Sequence, residues 1–183
     1  ITEDEGKHFM EQMRVDTENP HKMFPMLMAG EIQWKDYTVK TKLRMLNTKG
    51  SAGIGICALN SLNMLALVFE SNHLRLIHRH KEEEYVLKEV EFSYDCDTFY
   101  EVEAICHGEE IHCFVDGNLI FAVKDPLVAR GGKVAITATR PTQFAWVKVE
   151  VSNETFKEIE HCKEMKKQGR EKRQLQYPKM KLW

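Results

Sequence analysis

The chain has 183 residues, 43% of them hydrophobic, and its 26 Lys+Arg against 28 Asp+Glu leave a formal net charge of −2. That length is one domain's worth with enough apolar material for a core, and the near-neutral balance excludes charge-driven binding to nucleic acid or an anionic membrane. No apolar run approaches the ~18 residues that a bilayer-spanning helix needs; the longest, Leu62 to Phe69, is interrupted by Asn63.

The chain starts at Ile1 with Thr-Glu-Asp-Glu, without the charged and apolar regions of a secretory leader, and reads as a module excised from a longer polypeptide. Residues 1–31 form an N-terminal segment, rich in Met between Met10 and Met28, expected to supply an outer strand and a loop lying over a sheet. From Ile32 to Val151 short alternating segments separated by turn residues predict an all-β domain of about ten strands. In Tyr37 to Met45, for example, Tyr37, Val39, Leu43 and Met45 share one parity and Lys40, Lys42 and Arg44 the other, which predicts one buried and one wet face.

Further strands are expected at Gly53 to Leu59, Leu62 to Glu70, Leu74 to His80, Tyr85 to Phe92, Phe99 to His107, Glu110 to Val115, Leu119 to Lys124, Lys133 to Thr139 and Phe144 to Val151. Asp116-Gly117-Asn118 and His107-Gly108-Glu109 are tight hairpin turns, because Gly and Asn tolerate positive φ. Asp125-Pro126 followed by Gly131-Gly132 marks a longer loop that crosses between sheets. Residues 152–183 change character: Phe156, Ile159, Cys162 and Met165 fall at helical spacing among charged residues, with Asn153 as the expected N-cap, and a basic linker runs out to Trp183. The five cysteines include no Cys-x-x-Cys pair and are read as buried hydrophobes, not as a disulfide or zinc scaffold.

The run Trp34-Lys-Asp-Tyr-Thr-Val, then Gly53-Ile-Gly-Ile, Phe99-Tyr-Glu-Val-Glu-Ala, Phe114-Val-Asp-Gly-Asn-Leu and Gly131-Gly-Lys-Val-Ala-Ile resembles the concanavalin A-like lectin/glucanase (LamG-like) jelly rolls over Ile32 to Val151. The resemblance implies a two-sheet antiparallel jelly-roll sandwich with a curved face used by many relatives to bind carbohydrate, and it implies Trp34 and Tyr37 in the core or over a sheet edge. The tail from Glu164 to Trp183 resembles the linker that joins a jelly roll to a downstream propeller in polysaccharide lyases of the rhamnogalacturonan-lyase type.

Retaining glucanases of this fold need two carboxylates about 5 to 5.5 Å apart, and the Glu-x-Asp-x-x-Glu spacing that supplies them is missing. Glu101 with Glu103 and Glu89 with Glu91 are solvated strand faces, so no catalytic residue is assigned. His78 and His80 share a strand face, but two ligands do not make a metal site. Asp95, Asp97 and Glu101 offer carboxylates to a structural calcium, without the spacing of an EF-hand; no cofactor is otherwise expected.

Sugar contacts are sought among aromatic rings, which stack on pyranose faces, and among cations able to grip a uronate. If the valines of Phe144 to Val151 face the core, Phe144 and Trp146 point outward, and Trp146 is the leading exposed ring. Packing beneath the N-terminal segment or the C-terminal helix is the other reading of Trp146. Arg75, Arg79 and His78 sit on one basic strand and complete the expected contact set. The expectation is thus a non-catalytic carbohydrate-binding or accessory module attached to a catalytic domain of a pectin-active enzyme. The alternatives are a structural module packed on that neighbour and a sugar hydrolase of the same fold.

Overall fold

In the computed structural model the alternation of Tyr37–Met45 becomes the central element of a β-sandwich. The structure describes residues 1–4, 7–13, 25–81 and 83–176. Thirteen strands appear in chain order: β1 (Thr2–Asp4), β2 (Lys7–Gln12), β3 (Met26–Ala29), β4 (Tyr37–Met45), β5 (Ser51–Asn60), β6 (Asn63–Glu70), β7 (His73–His80), β8 (Glu83–Glu91), β9 (Phe99–His107), β10 (Glu110–Val115), β11 (Asn118–Lys124), β12 (Lys133–Ala138) and β13 (Thr142–Val151). Two helices join them, α1 (Pro126–Arg130) and α2 (Asn153–Gln176).

The strands form a seven-stranded sheet, ordered β1-β2-β13-β4-β9-β10-β11, and a six-stranded sheet, ordered β3-β12-β5-β6-β7-β8. Every observed pairing is antiparallel, which is the predicted jelly-roll sandwich. The N-terminal segment is woven into both layers, β1 and β2 at an edge of the seven-stranded sheet and β3 at an edge of the six-stranded one; residues 14–24 of the segment lie outside the described residues.

The inner row of β4 faces that of β9, with Tyr37 opposite Cys106, Val39 opposite Ala104 and Leu43 opposite Tyr100. All of these side chains join one core with Ile54, Ile56, Leu65, Leu67, Leu74 and Leu76 from the other sheet. Full burial of each such aliphatic side chain contributes about 1.5–3 kcal/mol, so period-two patterning across many strands sets the sandwich.

The predicted crossing between sheets is made by α1. Asp125 caps it, its Oδ1 accepting from Leu127 N at 2.8 Å. Gly131, at φ 75°, lies where any Cβ would come within 2.1 Å of Trp34 O, so no larger residue fits between the end of α1 and that loop. The Asp116-Gly117 turn carries positive φ at both central residues (49° and 77°), so Asp116, and not Asn118, shares the left-handed conformation with the glycine.

Ser152, not Asn153, caps α2: its Oγ accepts from Thr155 N at 3.1 Å. A serine set one residue earlier meets the same need for an acceptor at the first free amides. Thr155 and Ile159 are buried, Thr155 Oγ1 donates to Lys35 O at 2.7 Å, and Lys166 pairs with Glu31 at 2.8 Å. That ammonium holds the Glu31 carboxyl below its ordinary value. Phe156 and Met165 stay exposed, and the basic exit beyond Gln176 lies outside the described residues. No helix among the described residues is long and apolar enough to cross a membrane.

Three cysteines do behave as core residues. Cys57, Cys106 and Cys113 are buried in the core that also holds Tyr37, and burial pushes the Cys113 thiol up to about 12 and the Tyr37 hydroxyl well above its ordinary value. A group whose value is raised in the folded state favours folding fully below its unfolded value, and that contribution disappears as pH climbs toward the folded one. The affected window therefore runs from about pH 9 to about pH 12 for Cys113. By pH 10.5 Cys113 alone should cost about 2 kcal/mol of stability. Thermal melts at pH 7.5 and 10.5 should show a fall in Tm that Cys113→Ala diminishes; equal sensitivity in the variant would refute this assignment.

Candidate functional site

The wet face predicted for β4 is the outer face of the seven-stranded sheet. Thr38, Lys40, Lys42 and Arg44 line it, opposite Ile105, Glu103, Glu101 and Phe99 of β9. Lys40 bridges the two glutamates, at 2.7 Å from Glu101 and 3.7 Å from Glu103, and the hydrogen bond to Glu101 raises its ammonium above the ordinary value. Glu101 and Glu103 do share a face, as their spacing predicts, but as salt-bridge partners of one lysine.

β13 reaches this face through a bulge. Phe144 is opposite Leu43 and Trp146 opposite Lys42, so Ala145 is an extra residue on β13. The expectation that Phe144 and Trp146 both point outward is corrected here. Phe144 is buried at 2% exposure, whereas Trp146 emerges on the outer face at 36%. One inserted residue reverses parity along a strand, and the buried Thr41 hydroxyl fixes the distorted turn of chain by donating to Trp146 O at 2.6 Å.

Around Trp146 the surface combines aromatic and cationic groups. Lys42 is its cross-strand partner, and its Nζ lies 5.8 Å from the Phe99 ring centroid. Among the described residues no carboxylate lies within ion-pairing distance of Lys42. Phe99 stacks on Phe9 at 5.7 Å, and the Arg44 guanidinium sits 4.9 Å from the Phe99 centroid while donating to Gln143 Oε1 at 2.7 Å. Further along the same face Lys148 pairs with Glu150 at 2.6 Å, and beyond it lies a cavity of about 410 Å³ bordered by Asp36, Tyr37, Thr38, Cys106, His107 and Glu150.

The other expected contacts lie on the opposite sheet. Arg75 and Arg79 point to the outer face of the six-stranded sheet, where Arg75 pairs with Glu70 at 2.6 Å and with Glu89. Arg79 is 3% exposed and grips Glu84 through Nε at 3.0 Å and through a terminal nitrogen. Desolvation lowers its value despite the glutamate. His78 has the opposite parity on β7, paired with Leu65 and Tyr85, its ring 6.1 Å from His80 and 6.3 Å from Tyr85. Arg75, Arg79 and His78 therefore do not converge with Trp146.

The floor beside the two arginines is an apolar cluster of Ala58, Met64, Ala66, Val68 and Ile77, flanked by Met26 and Met28. Met64 and Ala66 are 0% exposed, so this floor offers no surface to a ligand. Asp95, Asp97 and Glu101 do not gather either: no group of three or more His, Cys, Asp or Glu side chains among the described residues could hold a metal ion.

No family model matches this chain, and no curated protein matches it. Solved structures do. The carbohydrate-binding module CBM66 from Bacillus subtilis superposes with a TM-score of 0.59 at 14% identity, over 63% of this chain and 75% of that one. The galectin LEC-6 of Caenorhabditis elegans gives 0.56 at 10% identity over 76% and 95%, and sheep galectin-11 gives 0.52 at 12% over 69% and 97%. Identities this low carry fold alone, and that fold is the two-sheet antiparallel jelly-roll sandwich seen in the strand order.

Proposed function

We propose that this chain is a non-catalytic carbohydrate-binding module of a larger polysaccharide-degrading enzyme, and that it holds an acidic, pectin- or rhamnogalacturonan-type glycan on the outer face of the seven-stranded sheet. The observation that carries the reading is the cross-strand pair of Trp146 and Lys42: an exposed indole opposite a lysine that has no carboxylate within ion-pairing distance among the described residues. An indole stacks on the apolar face of a pyranose, and a neighbouring cation selects a uronate over a neutral residue. The competing basic patch fits worse, because the charges of Arg75 and Arg79 are already taken up by glutamates. The fold shared with a carbohydrate-binding module and two galectins supports the same class.

Affinity electrophoresis through gels containing polygalacturonate or a neutral galactan tests this. The wild type should be retarded by polygalacturonate, more at low than at high salt. Trp146→Ala should weaken binding at least tenfold, and Lys42→Met should abolish the preference for the acidic polymer while leaving the fold intact. If wild type migrates freely in both gels yet associates with its natural neighbouring domain, the sandwich is a packing module and this reading fails.

A further inference from the structure

We infer that β8, the free edge of the six-stranded sheet, takes up an extended segment of another protein in which Lys or Arg alternates with apolar residues, adding it as a further strand. The strand closes the order β3-β12-β5-β6-β7-β8, and among the described residues its ladder to β7 is the one strand pairing it makes. One side of its backbone therefore turns amides and carbonyls away from the sheet, ready to pair. At nine residues β8 is also the longest of the four sheet edges, against three for β1, four for β3 and seven for β11.

The residues of this edge keep it open. Edge strands are ordinarily protected by brevity, by Pro or by lysines, and Glu83–Glu91 contains no Pro and a single lysine, Lys88. Tyr85, Val86 and Val90, residue types that favour strands, stand 49%, 54% and 39% exposed, which leaves apolar surface free for a partner's side chains. Glu84, Val86, Glu89 and Glu91 lie opposite Arg79, Ile77, Arg75 and His73 of β7, on the outer face, while Glu83 and Tyr85 lie opposite His80 and His78 on the other.

Charge selects the occupant. β8 has four glutamates and one lysine. Arg79 and Arg75 pair with Glu84 and Glu89, but Glu83 and Glu91 have no ion pair among the described residues, so negative charge remains at both ends of the strand. A second copy of the chain fits badly. Antiparallel pairing of two β8 strands centred on Leu87 sets Glu83 opposite Glu91, centring on Val86 sets Glu83 opposite Glu89, and like charges directly opposite one another destabilise a ladder. With a basic partner the same positions become cross-strand ion pairs, and the partner's apolar residues meet Tyr85, Val86 and Val90. The edge belongs to the sheet that does not carry Trp146, so its occupancy is tested independently of glycan binding.

The test titrates three fluorescein-labelled peptides of the length of β8 into the whole chain: alternating Lys and Val, alternating Glu and Val, and alternating Lys and Pro, whose prolines keep the charge but remove ladder donors. Fluorescence anisotropy measures binding, and amide hydrogen exchange with mass spectrometry locates it. The Lys-Val peptide should bind saturably, more tightly at low than at high salt, and slow exchange over Glu83–Glu91, while the other two peptides should not. Glu83→Lys combined with Glu91→Lys should weaken binding by roughly tenfold or more and leave Tm unchanged, since both side chains are exposed. Absence of Lys-Val binding would overturn the inference, as would equal binding of the Lys-Pro peptide, undiminished binding by the double variant, or protection confined to another segment. A dimer of the free chain in sedimentation, with Glu83–Glu91 protected, would show that a second copy occupies the edge and would overturn it too.

Discussion

Gly53→Ala should leave little folded protein. A Cβ at this position in β5 would stand 1.9 Å from the carbonyl oxygen of Leu67 and 2.9 Å from the Cα of Val68 on the neighbouring strand. Both obstacles are backbone, so no rotamer change relieves the overlap; β5 and β6 would have to separate where their ladder pairs Gly53 with Val68. That ladder lies between two other strands of the six-stranded sheet, which resist such a shift. A cost of roughly 4 kcal/mol or more follows, enough to unfold a domain of ordinary stability. Gly169→Ala is the matched control, because nothing lies within 4 Å of its added Cβ in α2, and it should raise stability by up to about 1 kcal/mol through helix propensity. Urea unfolding of the two variants beside the wild type decides the matter: equal midpoints for Gly53→Ala and wild type would contradict the close approach.

Arg140→Met is expected to be the most damaging change among the polar residues. Arg140 has no exposed surface and sits between β12 and β13. Its Nη1 donates to Asn47 O and to Tyr94 Oη, both at 2.9 Å, and its Nη2 donates to Phe69 O at 2.7 Å, while the guanidinium lies 5.0 Å from the Tyr94 ring centroid. One side chain therefore satisfies acceptors from three separate segments: the β4–β5 connection, the end of β6 and the stretch after β8. Methionine fills a similar volume but leaves two carbonyls and a hydroxyl buried without donors, at about 1–3 kcal/mol each before relaxation. A total near 3–5 kcal/mol corresponds to a fall in Tm of about 10 °C. Arg140→Lys should fall between the two, since an ammonium lacks the fork that reaches three acceptors together. A Met variant melting within a few degrees of wild type would show that water enters and replaces the guanidinium.

These two residues also show where sequence reading stops. Gly53 was visible within a Gly-Ile-Gly-Ile run, but the strand carbonyl that excludes a side chain belongs to residue 67 and is placed only by pairing. Arg140, in a Thr-Arg-Pro-Thr context, has the composition of a solvent-exposed turn. Its burial arises because three segments meet there, two presenting carbonyls and one a tyrosine hydroxyl. The proposed site divides in the same way. Trp146 was identified as an exposed ring from strand parity, and Lys42 was already on the wet face of its strand, yet their adjacency depends on the register of β4 against β13. Phe144 was misplaced by the same parity argument, because the extra residue at Ala145 leaves no mark in composition.

What the amino-acid order determined by itself was the class of fold: alternation of apolar and polar residues over ten segments, hairpin turns rich in Gly and Asp, and a charged helical stretch after the last strand are local signals. Each follows from backbone geometry over a few residues. Three matters were left to the tertiary structure: the bulge on β13, the neutralisation of Arg75 and Arg79 by glutamates on adjacent segments, and the reach of the Tyr37 hydroxyl to Cys57 across the sandwich. Those are relations between residues far apart along the chain, and strand order and register decide them because a shift of a single residue exchanges the inner and outer faces of a sheet.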